Sequence, residues 1–265
     1  MNEHPVLAST QAGNRTGQRA LVVGGSTGIG MGLAVGLDRA GYEVHVVSRS
    51  TPMGTDASTL HWHECDLIDQ VQTADVLRDI ATEPLGVVCF AAAYYGKSRH
   101  QLVDTPEIEW RRQVDVMMHG LWLTLNHSLP ALVAEASSTP GLLLSVSSEV
   151  VFNGGPQRSG YAAVKAAASA LLRSVRQEYP SDMLSLVEVL PQGMVDSPGI
   201  RSRRPDGFDY STYMTPEDFY DVGYELGRSR GVDLDGTSLV IQPGGKWAGV
   251  KSGTIPPSQS RAGAS

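Results

Sequence analysis

Short apolar runs alternate with stretches of helical period along most of this chain, and no other feature constrains its fold as much. Ala20-Leu-Val-Val23 is an apolar run that ends in glycines, as a buried parallel strand does. Ile29, Leu33 and Leu37 then recur at helical spacing until Gly41 stops the helix. Val44–Val47 reads as the next strand and Leu60–Cys65 as a third, partly exposed one. Val71–Ile80 follows as a helix and Val87–Ala93 as a strand. Val114, Met118, Leu121 and Leu125 mark one face of a long helix beginning near Thr105-Pro106. Leu142–Val146 is a strand, Tyr161–Glu178 a helix ended by Pro180, and Leu184–Leu190 and Ser238–Ile241 complete the strands. Such alternation predicts an α/β fold, a doubly wound parallel sheet of about seven strands with helices on both faces and right-handed crossovers. In sheets of this kind ligands bind beyond the carboxyl ends of the strands, where strand order reverses.

No internal repeat and no interior linker divides the pattern, so one domain is expected over residues 18–250. Residues 1–17 are polar and 251–265 rich in Ser, Gly and Pro; both are expected to be disordered tails. The net charge of −7 argues against a nucleic-acid surface and against an anionic membrane. No apolar run reaches the ~18 residues of a membrane span, and no signal-length apolar segment opens the chain. Cys65 and Cys89 lack metal-type spacing and read as buried free thiols of a reducing cytoplasm, the compartment expected here. His61 and His63 alternate onto one strand face, but two imidazoles without a third ligand make a poor metal site; no metal is expected.

Chemistry gathers at three places. Gly24-Gly-Ser-Thr-Gly28-Ile-Gly30 lies between the first strand and the first helix, where glycines permit positive φ and close backbone approach. Free N–H groups and the dipole at a helix start favour a pyrophosphate; a tight turn without ligand is the plain alternative. After the second strand stands Ser48-Arg49-Ser50, where a carboxylate would select NAD by its ribose hydroxyls. A guanidinium flanked by hydroxyls suits a 2′-phosphate instead, which points to NADP(H), the alternative being a solvated surface arginine. Tyr161 and Lys165 sit one helical turn apart on one face. An ammonium there favours phenolate, so the Tyr161 pKa is expected to fall from about 10 towards neutrality, as carbonyl reduction or alcohol oxidation requires.

In this order and at these distances, these motifs resemble the short-chain dehydrogenase/reductase family, over nearly the whole chain. The resemblance implies a Rossmann fold that binds NADP(H) through Gly24, Ser26, Thr27, Gly28, Ile29 and Gly30, with Ser48, Arg49 and Ser50 at the ribose phosphate. Asp66 and Leu67 would meet the adenine, Ala91 and Ala92 would follow the fourth strand, and Pro191, Gly193 and Val195 would form the turn at the nicotinamide. Ser148, about 13 residues before the tyrosine, matches the family's serine, although Ser145 and Ser147 compete for the role. By resemblance Ser148 polarises the carbonyl, Tyr161 donates the proton, and Lys165 binds the ribose and lowers the tyrosine pKa. The implied activity is reduction of a ketone or other carbonyl to an alcohol, or the reverse, on a small-molecule substrate. A homodimer or homotetramer packed through 114–129 and 161–178 is also implied. Non-redox chemistry on the same fold (dehydration, isomerisation, cyclisation), or cofactor binding alone, stays open as the second reading.

Three positions depart from the family pattern. Its Asn-Asn-Ala-Gly segment is Phe90-Ala91-Ala92-Ala93 here, so packing must replace asparagine hydrogen bonds. Met117 stands where an asparagine helps hold a water near the lysine, and Gln192 separates Pro191 from Gly193. The segment 197–214, with Pro198, Gly199, Pro205 and Gly207, reads as a lid. Arg201, Arg203 and Arg204 in it suit an anionic substrate, the alternative being a solvated basic loop. Tyr94 and Tyr95 are the expected substrate wall, with Phe152 and Tyr210 as lesser candidates.

Overall fold

The computed structural model describes residues 17–134 and 139–251; both expected tails lie outside these residues, save for Gly17 and Lys251. Eight strands form one sheet in the order β3-β2-β1-β4-β5-β6-β7-β8. They are β1 (Arg19–Val23), β2 (Glu43–Ser48), β3 (His61–Glu64), β4 (Leu85–Phe90), β5 (Gly141–Val146), β6 (Leu184–Pro191), β7 (Thr237–Ile241) and β8 (Trp247–Lys251). The first seven pair in parallel and β8 pairs with β7 antiparallel. The doubly wound parallel sheet is therefore as expected, with one strand more than the sequence pattern gave. Trp-Ala-Gly-Val-Lys is short, carries a glycine and lacks an apolar run, so nothing in its pattern announces a strand.

Helices cover both faces: α1 (Gly28–Arg39), α2 (Gln70–Ile80), α3 (Glu107–Val114), α4 (Gly120–Val133), the single turn α5 (Val150–Asn153), α6 (Ser159–Glu178), the single turn α7 (Pro198–Arg201) and α8 (Tyr220–Ser229). Alternate residues of each strand feed opposite cores. Leu21, Val23, Val88, Phe90 and Leu143 pack under α2, α4 and α6 with Leu77, Leu121 and Leu172. Ala20, Val22, Val87, Cys89 and Leu144 pack under α1 and α8 with Leu33, Leu37, Val222 and Leu226. This two-sided burial explains why the strands read as continuous apolar runs. Both cysteines are buried and free. No helix among the described residues is long and apolar enough to cross a membrane.

The long helix expected from Thr105-Pro106 is broken. Asp115–His119 forms a π-helical turn between α3 and α4, closed by the Gly120 N–H donating to the Asp115 carbonyl. Met117 lies inside that turn and is buried. The sheet's reversal point falls between β1 and β4, so the carboxyl ends of these strands open a crevice.

Candidate active site

The residues singled out in the sequence for cofactor and catalysis, together with Tyr94 and Tyr95 of the expected substrate wall, line one cleft of about 610 Å³ at those carboxyl ends. The glycine turn forms its floor. Gly24 has φ +84, and a Cβ there would lie 2.5 Å from the Ala92 backbone nitrogen. A Cβ on Gly30 would lie 2.2 Å from the Gly24 carbonyl oxygen. These two glycines are demanded by the turn itself, which packs against the Ala91-Ala92 backbone after β4. Ala91 N–H donates to the Val23 carbonyl at 2.8 Å, so packing and a backbone bond occupy the place of the missing asparagine amides. Gly28 differs: φ is +56, yet a Cβ there would meet nothing closer than 3.5 Å. Its bare face is cleft space.

Helix α1 begins at that floor with no side-chain cap from Thr27 and no acidic residue in its first turn. Its first N–H groups are thus left for an anion from outside the helix. At the end of β2, Ser48 Oγ donates to the Ser50 carbonyl at 2.8 Å and Ser50 Oγ donates to Ser26 Oγ at 3.2 Å. Exposed Arg49 lines the cleft beside Ser48 and Ser50 and takes part in no ion pair among the described residues. Asp66 on the far side is turned into its own loop, accepting the Ile68 N–H at 3.2 Å. An uncapped helix start, an open glycine face and a free guanidinium fit a pyrophosphate with a further phosphate beyond it.

The opposite wall carries the proton chemistry. Tyr161 sits in the first turn of α6, ring to ring with Tyr95 at 5.3 Å between centroids. A hydrogen bond from Ser148 eases Tyr161 ionisation, while its bond to Tyr95 opposes it. The same interaction favours ionisation of Tyr95. Burial first, then the Tyr95 phenol, raise the Tyr161 pKa well above its ordinary value; the Ser148 bond and the Arg158 charge work the other way. The lowering expected from the spacing to Lys165 is thus reversed. Lys165 is buried, and its Nζ donates to the Val146 carbonyl at 2.7 Å. Desolvation lowers its pKa to about 8, with Glu188 opposing.

The serines sort themselves by side. Ser145 is buried within β5, and Ser147 Oγ lies 3.4 Å from Ser169 Oγ. Only Ser148, past the strand end, reaches Tyr161. Tyr94 lines the cleft, but its hydroxyl donates to Glu109 Oε2 at 2.8 Å, away from Tyr161. Phe152, Tyr210, Arg201 and Arg204 lie outside the lining, whereas Arg203 lies within it. Gln192 is an exposed residue of the lining and donates its N–H to the Ile241 carbonyl at 2.7 Å, so the inserted residue lengthens the pairing with β7.

One group was overlooked in the sequence. Glu188 is buried in β6, accepts from Ser169 Oγ at 2.6 Å, and stands in register between Ser145 and Ser238. A glutamate inside Leu-Val-Glu-Val-Leu was the signal available. Away from the cleft, His45, His61 and His63 cluster with Arg19 and Glu43 at the amino ends of β1–β3. No group of His, Cys, Asp and Glu among the described residues is arranged to hold a metal ion.

The family described as short chain dehydrogenase matches residues 18–206. The 1-deoxy-11-beta-hydroxypentalenate dehydrogenase of Streptomyces arenae is 30% identical over 239 residues, 80% of this chain and 79% of that protein. Two crystal structures share the fold. The 3-oxoacyl (acyl-carrier-protein) reductase of Agrobacterium tumefaciens C58, with NADP bound, has a TM-score of 0.72 at 23% identity, covering 87% of this chain and 95% of that one. The 3-ketoacyl-(acyl-carrier-protein) reductase of Brucella melitensis, complexed with NADH, has a TM-score of 0.74 at 17% identity, covering 86% and 98%.

Proposed function

The chain belongs to the short-chain dehydrogenase family, and on that premise we propose that it is an NADP(H)-dependent oxidoreductase interconverting a carbonyl and an alcohol. The observation that carries the reading is the meeting of Ser148, Tyr161 and Tyr95 in one cleft with Lys165 and the phosphate-fitting floor. When bound, NADP(H) supplies or accepts the hydride. The first turn of α1 and the glycine floor would hold its pyrophosphate, and Arg49 with the serine hydroxyls its 2′-phosphate.

The chain's own residues handle the proton and the geometry. Tyr161 carries its proton firmly, as the raised pKa requires, and so meets a carbonyl as a loaded acid. A substrate oxygen accepts from the Tyr161 hydroxyl, and Ser148 turns its hydroxyl to the same oxygen as negative charge grows there. The Lys165 ammonium, close behind on α6, stabilises the tyrosinate left after transfer; its pKa of about 8 keeps it mostly charged at neutral pH. The relatives act on varied small molecules, and the same class of substrate is proposed here.

Purified protein with NADPH and a panel of ketones and aldehydes tests this. We expect a fall in NADPH absorbance with some of them, and a loss of about 10²- to 10⁴-fold in kcat for Tyr161→Phe. Tight NADPH binding without turnover of any carbonyl would sink the redox reading in favour of non-redox chemistry on this fold. Arg49→Ala is expected to raise KM for NADPH about tenfold or more and to leave KM for NADH little changed; equal effects on both would refute the phosphate assignment.

A further inference from the structure

The segment 197–214 carries three arginines, and their surroundings separate them. Arg201 grips Asp196 through two hydrogen bonds of 2.6 Å each and lies over the Tyr210 ring at 4.7 Å. Arg204 donates to the Tyr213 hydroxyl at 3.0 Å and lies over the Phe208 ring at 5.3 Å. Arg203, half-buried between them, lines the cleft instead. Among the described residues its guanidinium takes part in no ion pair and no hydrogen bond. Its electrostatic neighbours are two more cations, Arg99 and Arg204, and the phenols of Tyr95 and Tyr161.

Arg99 lines the same cleft from its exposed rim and also takes part in no ion pair among the described residues. Nearby carboxylates are already committed. Glu109 accepts from the Tyr94 hydroxyl at 2.8 Å and the Lys97 N–H at 3.3 Å, and Glu149 pairs with Arg158 at 3.6 Å. Two guanidinium groups without an ion-pair partner among the described residues therefore lie together in the cleft that holds the tyrosine pair, in a protein whose net charge is −7. Crowding a half-buried cation against others is unfavourable unless an anion joins them. In keeping with this, burial and the charges of Arg99 and Arg204 lower the Arg203 pKa from its ordinary value.

We propose that Arg203 and Arg99 form an anion subsite beside Tyr161, and that the substrate is a carbonyl compound carrying a carboxylate on the same small molecule. The proposal rests on the carbonyl-reductase reading and names its substrate class. A guanidinium binds a carboxylate through two parallel hydrogen bonds, which fixes orientation as well as charge. Because Arg203 is turned inward, it serves an anion within the cleft and not the surface of a carrier protein; such a surface would meet the outward Arg201 first. The anchored carboxylate aims the carbonyl at Tyr161 and Ser148.

The holoenzyme is assayed with acetoacetate and levulinate beside their methyl esters, with a phosphorylated ketone (dihydroxyacetone phosphate) as a second anion. A carboxylate at the subsite predicts kcat/KM for an acid about 10- to 100-fold above its ester, the span of charged hydrogen bonds. Arg203→Gln should collapse that ratio, Arg203→Lys should restore part of it, and Arg201→Gln should leave it unchanged. Esters used as well as acids, or a ratio unmoved in Arg203→Gln, overturn the proposal; preference for the phosphorylated ketone overturns the carboxylate assignment. If no carbonyl is turned over, the redox reading has failed separately, and calorimetric binding of levulinate to the NADPH-saturated protein decides. Saturable binding weakened in Arg203→Gln supports the subsite, and absent or unchanged binding overturns it.

Discussion

Lys165 keeps its charge where burial works against it. The nearest compensation is Glu188, a carboxylate in the middle of the sheet that accepts from Ser169, one helical turn after the lysine. Glu188→Gln removes the charge and leaves an oxygen for Ser169, so the Lys165 pKa should fall below its present value of about 8. If the ammonium is needed beside Tyr161, the basic limb of the pH–rate profile is set by Lys165 near pH 8, and in Glu188→Gln it moves to lower pH. Steady-state kinetics over pH 6–10, a range of about four units around the lysine, reads this directly; a limb that stays in place would assign it to another group. Tyr161 itself contributes no limb in that range, because burial and Tyr95 keep its proton on. The sequence showed the i,i+4 spacing but not these surroundings. Tyr95, Glu188 and Val146 come from three different strands or strand ends, and only the parallel register assembles them around α6.

At the scale of elements, α1 and α8 approach until their backbones touch. A Cβ on Gly36 would lie 2.4 Å from the Tyr220 carbonyl at the start of α8, and one on Gly32 would lie 2.2 Å from the Pro216 carbonyl in the turn that leads into it. Gly36→Ala, favourable by helix propensity alone, should therefore destabilise the fold by about 1–3 kcal/mol in urea unfolding. The β2–β3 edge makes a second prediction. Arg19 donates to His45 Nε2 at 3.2 and 3.0 Å, which leaves the imidazole proton on Nδ1 to donate to His63 Nε2 at 2.9 Å. Burial first, then Arg19 and His63, lower the His45 pKa from 6.5 to about 4, with Glu43 opposing. The unfolded chain thus binds the proton before the folded one does, and stability falls as pH drops from 6.5 towards 4. We expect a loss of about 1–3 kcal/mol across that window and a shallower slope in His45→Asn; a flat urea midpoint over the window would contradict it. Elements buried on both faces were legible as apolar runs, and the glycine turn was legible because its conformation excludes other residues. The π-turn at Asp115–His119 was not, since a single extra residue in a helix hardly disturbs the apolar period, and β8 was not, since an edge strand needs only one apolar side.

For the whole molecule, the floor, the tyrosine wall and Arg203 come from segments spread over most of the described chain, and the reversal of strand order brings them to one crevice. Outside it, Trp110 and Trp122 are 42% and 48% exposed on α3 and α4, the helices flanking the π-turn. We propose that this side meets a second copy, and Trp122→Glu is expected to shift the particle to a smaller mass in light scattering; an unchanged mass would place the contact elsewhere. The antiparallel β8 has its own consequence. Strand β7 runs towards the cleft and β8 runs back, bringing Lys251 opposite Thr237 at the start of β7. Gly17 leads into β1 at the same end of the sheet. Gly17 and Lys251, the limits of the described residues, therefore lie at the end of the sheet remote from the cleft, so a support coupled at either of these two residues would leave the cleft facing the solution.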